Sequence, residues 1–140
     1  MKTTLLVILM VLGSTCYTQA QDQENNNSGK VYFFRSTGYD GSAVAFKVFI
    51  DEQFVCKLNN KEYSVHDIPP GKHTCSVQFS GKKSKEGSEK FEFNVEAGKE
   101  VYMNIAYQSG LVKDNAYFEE ITESSAKNMI GKLKEVPDCK

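Results

Sequence analysis

Apolar residues recur at every second position along most of this chain, in short runs broken by turn residues, and no other feature limits its fold as tightly. Phe46, Val48 and Ile50 alternate with Lys47 and Phe49. Phe54, Cys56 and Leu58 follow the same rule, as do Tyr63 with Val65, and Cys75 with Val77 and Phe79. Phe91, Phe93 and Val95 precede Val101, Met103 and Ile105. With the aromatic opening run Val31–Ser36, the predicted strands are 31–36, 46–50, 54–58, 62–67, 72–79, 91–95 and 101–107. Successive strand side chains point to opposite faces, so each strand has one apolar face. Seven or eight such strands at short spacing predict a mainly β fold, an antiparallel sandwich in the immunoglobulin-like or transthyretin-like style.

Two turns can be tested against the alternation. A three-residue loop at Asp51-Glu52-Gln53 sets Ile50 opposite Phe54 and Val48 opposite Cys56, whereas a two-residue loop brings Lys47 beside Cys56. The first keeps one face apolar and is the expected register. At Pro69-Pro70-Gly71 a three-residue loop would likewise pair Val65 with Cys75 and Tyr63 with Val77. Proline sets φ in such a turn and glycine supplies a positive φ, so Asp51, Pro69, Pro70 and Gly71 are read as structural turn residues.

One helical pattern occurs, over 124–136, with Ser124 or Ser125 as cap and Ala126, Met129, Ile130, Leu133 and Val136 as an apolar stripe. So short a helix needs a docking surface. The first strand offers one, because Tyr32 and Phe34 oppose Val31 and Phe33 and make both of its faces apolar. The helix and tail (122–140) are expected to cover that face of the 30–121 sandwich. The alternative is an exposed binding patch of Tyr32, Phe34 and Tyr102.

Residues 1–20 read as a secretory signal peptide: Lys2, the apolar run Leu5–Leu12, and a small-x-small site at Thr18-Gln19-Ala20. The run is too short to span a bilayer. Cys16 offers a rival reading as the lipid-accepting cysteine of an anchored lipoprotein. Residues 21–29 are a polar spacer, and Asn26-Asn27-Ser28 is formally a glycosylation sequon. The predicted location is therefore exported, either free or lipid-anchored, where disulfides are permitted.

Chemistry-bearing groups are sparse. With 17 basic and 18 acidic residues and a net charge of −1, no broad positive field exists for nucleic acid. The lysine-rich stretch 80–88 reads as a solvated hairpin tip rather than an anion-binding finger. Cys56 and Cys75 both point inward. A bond between them would close a loop of about twenty residues and contribute roughly 3 kcal/mol; two buried thiols, or a pairing with Cys139, are the alternatives. Asp67 lies across from His73 in the expected register, with His66 on the opposite face. That is two converging ligands where a metal needs three or four, and no nucleophile completes a triad. No cofactor is expected and no catalytic residue is assigned.

Several turns taken in order resemble a family. The aromatic strand ending in Arg (Val31-Tyr32-Phe33-Phe34-Arg35-Ser36), the hairpin Phe49-Ile50-Asp51, the turn Pro69-Pro70-Gly71-Lys72-His73 and the later Ala97-Gly98-Lys99 are similar to a bacterial domain of unknown function, 2846, a short sandwich in the style of PEGA modules. The resemblance covers roughly residues 30–108 and departs at Glu52, where glycine usually follows the Asp. It implies an exported, envelope-associated β-domain without catalytic residues. The expected function is a non-catalytic binding or scaffold module for a protein or cell-envelope partner, of unspecified oligomeric state. The alternatives are a small soluble ligand carrier, or a hydrolase or metal-binding protein using His73, Asp67 and His66.

Overall fold

A computed structural model describes residues 27–39, 41–79, 82–83, 90–111, 114–137 and 139. The signal peptide, Cys16 and residues 21–26 of the spacer lie outside the described residues, as does most of the 80–88 loop. The described strands are β1 (Gly29–Arg35), β2 (Phe46–Ile50), β3 (Gln53–Leu58), β4 (Glu62–Ile68), β5 (Gly71–Phe79), β6 (Lys82–Lys83), β7 (Phe91–Val95), β8 (Glu100–Gln108), β9 (Asn115–Glu120) and β10 (Lys134–Glu135), with one helix, α1 (Glu123–Ile130). No described helix is long and apolar enough to cross a membrane.

The strands form two facing sheets, as the alternation predicts. The first has the order β10-β4-β1-β8-β9; the second has β3-β2-β5, with β6 and β7 both pairing β5. Between them lies a core of Val31, Phe33, Phe46, Val48, Leu58, Val77, Met103 and Ile105, each at most 1% exposed. The first sheet is mixed, because β1 runs parallel to β8 and β10 parallel to β4, whereas every pairing in the second is antiparallel.

Three expected pairings are corrected. First, the β2–β3 loop has two residues, Asp51 and Glu52, both in the left-handed region (φ 46° and 68°). Phe49 therefore faces Phe54, yet Val48 still faces Cys56, because the register shifts between them. This bulge lets a two-residue turn coexist with an apolar inner face. Second, the Pro-Pro-Gly turn does not close a hairpin. β4 pairs β1 and β5 pairs β2, so the turn carries the chain from one sheet to the other, and Val65 and Tyr63 do not face Cys75 and Val77. Two prolines lack the N–H groups of a ladder, which suits a crossing point. Gly71, at φ 141°, takes the conformation that other residues avoid there.

Third, Cys56 is bonded to Cys139, with Cα atoms 4.5 Å apart, and Cys75 is a buried free thiol. Cys56 sits on β3 and Cys75 on β5, with β2 between them. Two strand spacings are roughly 9.6 Å, beyond the ~7 Å reach of a disulfide.

The helix is capped earlier than Ser124 or Ser125 and stops sooner than the stripe to 136 suggests. Thr122 caps it, accepting from the Ser125 N–H, and Lys134–Glu135 continue as a strand. Its stripe lies on the outer face of the first sheet: Ala126, Met129, Ile130 and Leu133 pack with Phe34, Tyr63 and Tyr102 in a second small core. Both faces of β1 are thus covered. Phe34 is fully buried and Tyr102 is buried, so the Tyr32, Phe34 and Tyr102 patch is not an open surface; only Tyr32 is half-exposed.

Candidate functional site

The turn residues that run through the sequence pattern meet at one end of the second sheet. His73 Nδ1 lies 2.7 Å from Asp51 Oδ2, and Nε2 lies 2.9 Å from the Pro69 carbonyl. Both partners accept, so the geometry favours a ring that donates from both nitrogens, the imidazolium form. The hydrogen bond from Asp51 raises the His73 pKa above its ordinary value, and the same bond, with the Thr74 N–H at 2.9 Å, holds Asp51 low. This arrangement is a clamp. With both nitrogens engaged, His73 has no lone pair to offer as a base or ligand.

The other proposed catalytic or metal residues are elsewhere. Asp67, expected across from His73, pairs with Lys30 at 3.1 Å. His66 faces the core, bonds Ser64 Oγ at 3.0 Å and packs on Phe33. Burial pushes its pKa down. His73, Asp67 and His66 therefore do not converge, and no three His, Cys, Asp or Glu side chains group as metal ligands among the described residues. The space between the sheets, where a carrier would hold cargo, is filled by Phe33, Phe46, Leu58 and Met103.

Arg35 ends the aromatic strand on its inward face and is fully buried. Its guanidinium stacks 3.7 Å from the Phe46 ring centroid and donates to the carbonyls of Leu58 (2.6 Å) and Gly41 (2.7 Å). Burial lowers its pKa to about 10, so it stays charged at neutral pH. It serves as an anchor for the loop after β1, and the odd parity it shares with Val31 and Phe33 is the sequence signal for that role.

The open surface lies on the other side of the molecule, on the outer face of the second sheet. The bulge in β3 turns Phe54 outward beside Phe49; their rings meet edge to face at 5.8 Å, and Phe54 is 44% exposed. On the same face Lys57 stands directly opposite Lys47, both exposed. Neither lysine is in an ion pair among the described residues. Further along this face an open depression of about 430 Å³ is lined by Lys72, His73, Thr74, Glu92, Phe93 and Asn94. The expected hairpin register buries Phe54 with Cys56, which is why alternation alone conceals this surface.

The described residues thus build a two-sheet β domain with a clamped turn end, one helix-covered face and one open face. The family model for a protein of unknown function, DUF2846, matches residues 25–122, and the chain belongs to that family. The match takes in β1 to β9 and ends at Thr122, so α1, β10 and Cys139 lie beyond it. No curated protein and no solved structure matches the chain.

Proposed function

We propose that this chain is an exported, non-catalytic binding module that engages a cell-envelope component through the outer face of its second sheet. The observation that carries the reading is the β3 bulge, which spends a ladder position to turn Phe54 out beside Phe49. Bulges re-aim side chains where function needs them, and an aromatic pair on an open sheet face is costly in water unless it is covered by a partner. The Cys56–Cys139 disulfide and the leader-like residues 1–20 support export.

The test begins with the native protein. Its intact mass reports the N-terminus: Gln21 for the free form, an acylated Cys16 for the anchored one. Isolated envelope material should then retain the free protein, and Phe54→Ala should abolish retention while leaving the melting temperature nearly unchanged. Equal retention of the variant and its parent removes this face from the function.

A further inference from the structure

We infer that the outer face of the second sheet binds an extended acidic polysaccharide, lying across the strands with sugar rings on Phe49 and Phe54 and acid groups on the facing pair Lys47 and Lys57. This rests on the binding-module reading above and names its ligand. The registers align Lys57 with Lys47 and Lys47 with Gln78, one residue from each of three neighbouring strands. At ~4.8 Å per strand the row spans about 10 Å. Two lysines directly opposite each other destabilise a sheet, so the Lys47–Lys57 pair is a cost that an anion would remove.

The neighbouring row along the strands is Phe54, Phe49 and Ser76, about 7 Å away. A sugar ring presents C–H groups that pack on an aromatic ring, and Ser76, Gln78 and Thr74 offer hydroxyl and amide partners on the same open face. The acids of this face do not oppose an anion at the lysine pair. Asp51 is held by His73, Glu52 pairs with Lys90, and Glu92 stands opposite Thr74, all toward the turn end of the sheet. Nucleic acid would need a wider positive field than a chain of net charge −1 supplies.

The full-length mature chain is titrated with polygalacturonate, its methyl ester and dextran. Polygalacturonate alone should bind, and affinity should fall as salt rises. Lys47→Glu should weaken it roughly tenfold while its melting temperature stays at or above the parent's, because the variant replaces a like-charge pair by an opposite one. That divergence separates ligand contact from folding damage. Phe54→Ala should weaken binding with an unchanged salt slope, and Lys132→Glu, on the tail over the other sheet, should bind as the parent does. Equal binding of the methyl ester, an unaffected Lys47→Glu, or tighter binding of polyglutamate or polyuridylate overturns the inference. If Phe54→Ala loses envelope retention while no polysaccharide binds, the binding module stands and this ligand falls.

Discussion

His73 and Asp51 tie together two turns that belong to different strand pairs. Asp51 lies in the β2–β3 turn, and His73 follows the crossing between sheets, yet their side chains meet at 2.7 Å. The Pro69 carbonyl completes the clamp at 2.9 Å. Two of the turns that make the pattern recognisable along the chain are therefore joined in space.

The clamp should give stability a defined pH window. His73 is raised from 6.5, first by its bond to Asp51, so its contribution is complete below 6.5 and fades as pH rises through the higher folded value. Asp51 is lowered from 3.8, first by the bond to His73, so its contribution is present above 3.8 and fades as pH falls through the lower folded value. Asp51 is half exposed, and screening limits the pair to on the order of 1 kcal/mol. Melting temperatures across pH 3–9 should show a plateau between these limits in the parent and a flatter profile in His73→Ala. Parallel profiles would show that the clamp carries no charge-dependent stability.

Alanine substitutions should separate core from surface under the helix. Phe34 is fully buried and stacks on Tyr63 at 5.6 Å. Phe34→Ala should cost about 3–5 kcal/mol. Tyr32 is half-exposed, and its hydroxyl donates to Glu100 at 3.0 Å. Tyr32→Ala should cost about 1–2 kcal/mol. Denaturant titration of both variants checks the order, and equal small costs would mean the helix does not hold this face.

The strands with strict alternation were legible from sequence because each needs only one apolar face. Asn115–Glu120 was not, since only Ala116 and Phe118 turn inward and two glutamates close the strand. Alternation also says which face is apolar but not which strand lies alongside. That is why the Pro-Pro-Gly segment reads equally well as a hairpin or as a crossing between sheets. The disulfide depended on that pairing, because only the strand order places β2 between Cys56 and Cys75. The outer face stayed hidden for a local reason: one bulge reverses Phe54, and a periodic pattern has no symbol for an extra residue.

Cys139→Ser should loosen the tail before it loosens the sheets. The disulfide joins β3 to a segment 83 residues away, beyond α1 and β10. Closing so long a loop restricts the unfolded chain by roughly 4.5 kcal/mol. α1 is eight residues long and buries only Ala126 fully, so its own stability is small. Hydrogen exchange should show faster amides in 123–136 and protected amides in β1 and β8. A thiol reductant should reproduce the effect in the parent and add nothing in the variant. Cys75 should resist alkylation until unfolding, because burial pushes its thiol pKa up.

The β2–β3 turn should respond in opposite directions to glycine at its two positions. Asp51 and Glu52 both hold positive φ, a conformation that costs a residue with a Cβ and that glycine adopts freely. At Glu52 the side chain gives up an exposed pairing with Lys90, worth at most about 0.5 kcal/mol. Glu52→Gly should therefore stabilise the protein by about 0.5–1 kcal/mol. Asp51→Gly relieves the same backbone but removes the acceptor for His73 and for the Thr74 N–H, and should destabilise by about 1 kcal/mol or more. Chemical denaturation of the two variants measures both signs. If Asp51→Gly stabilises as Glu52→Gly does, backbone strain outweighs the clamp, and the turn pattern shared along this chain serves the hairpin alone.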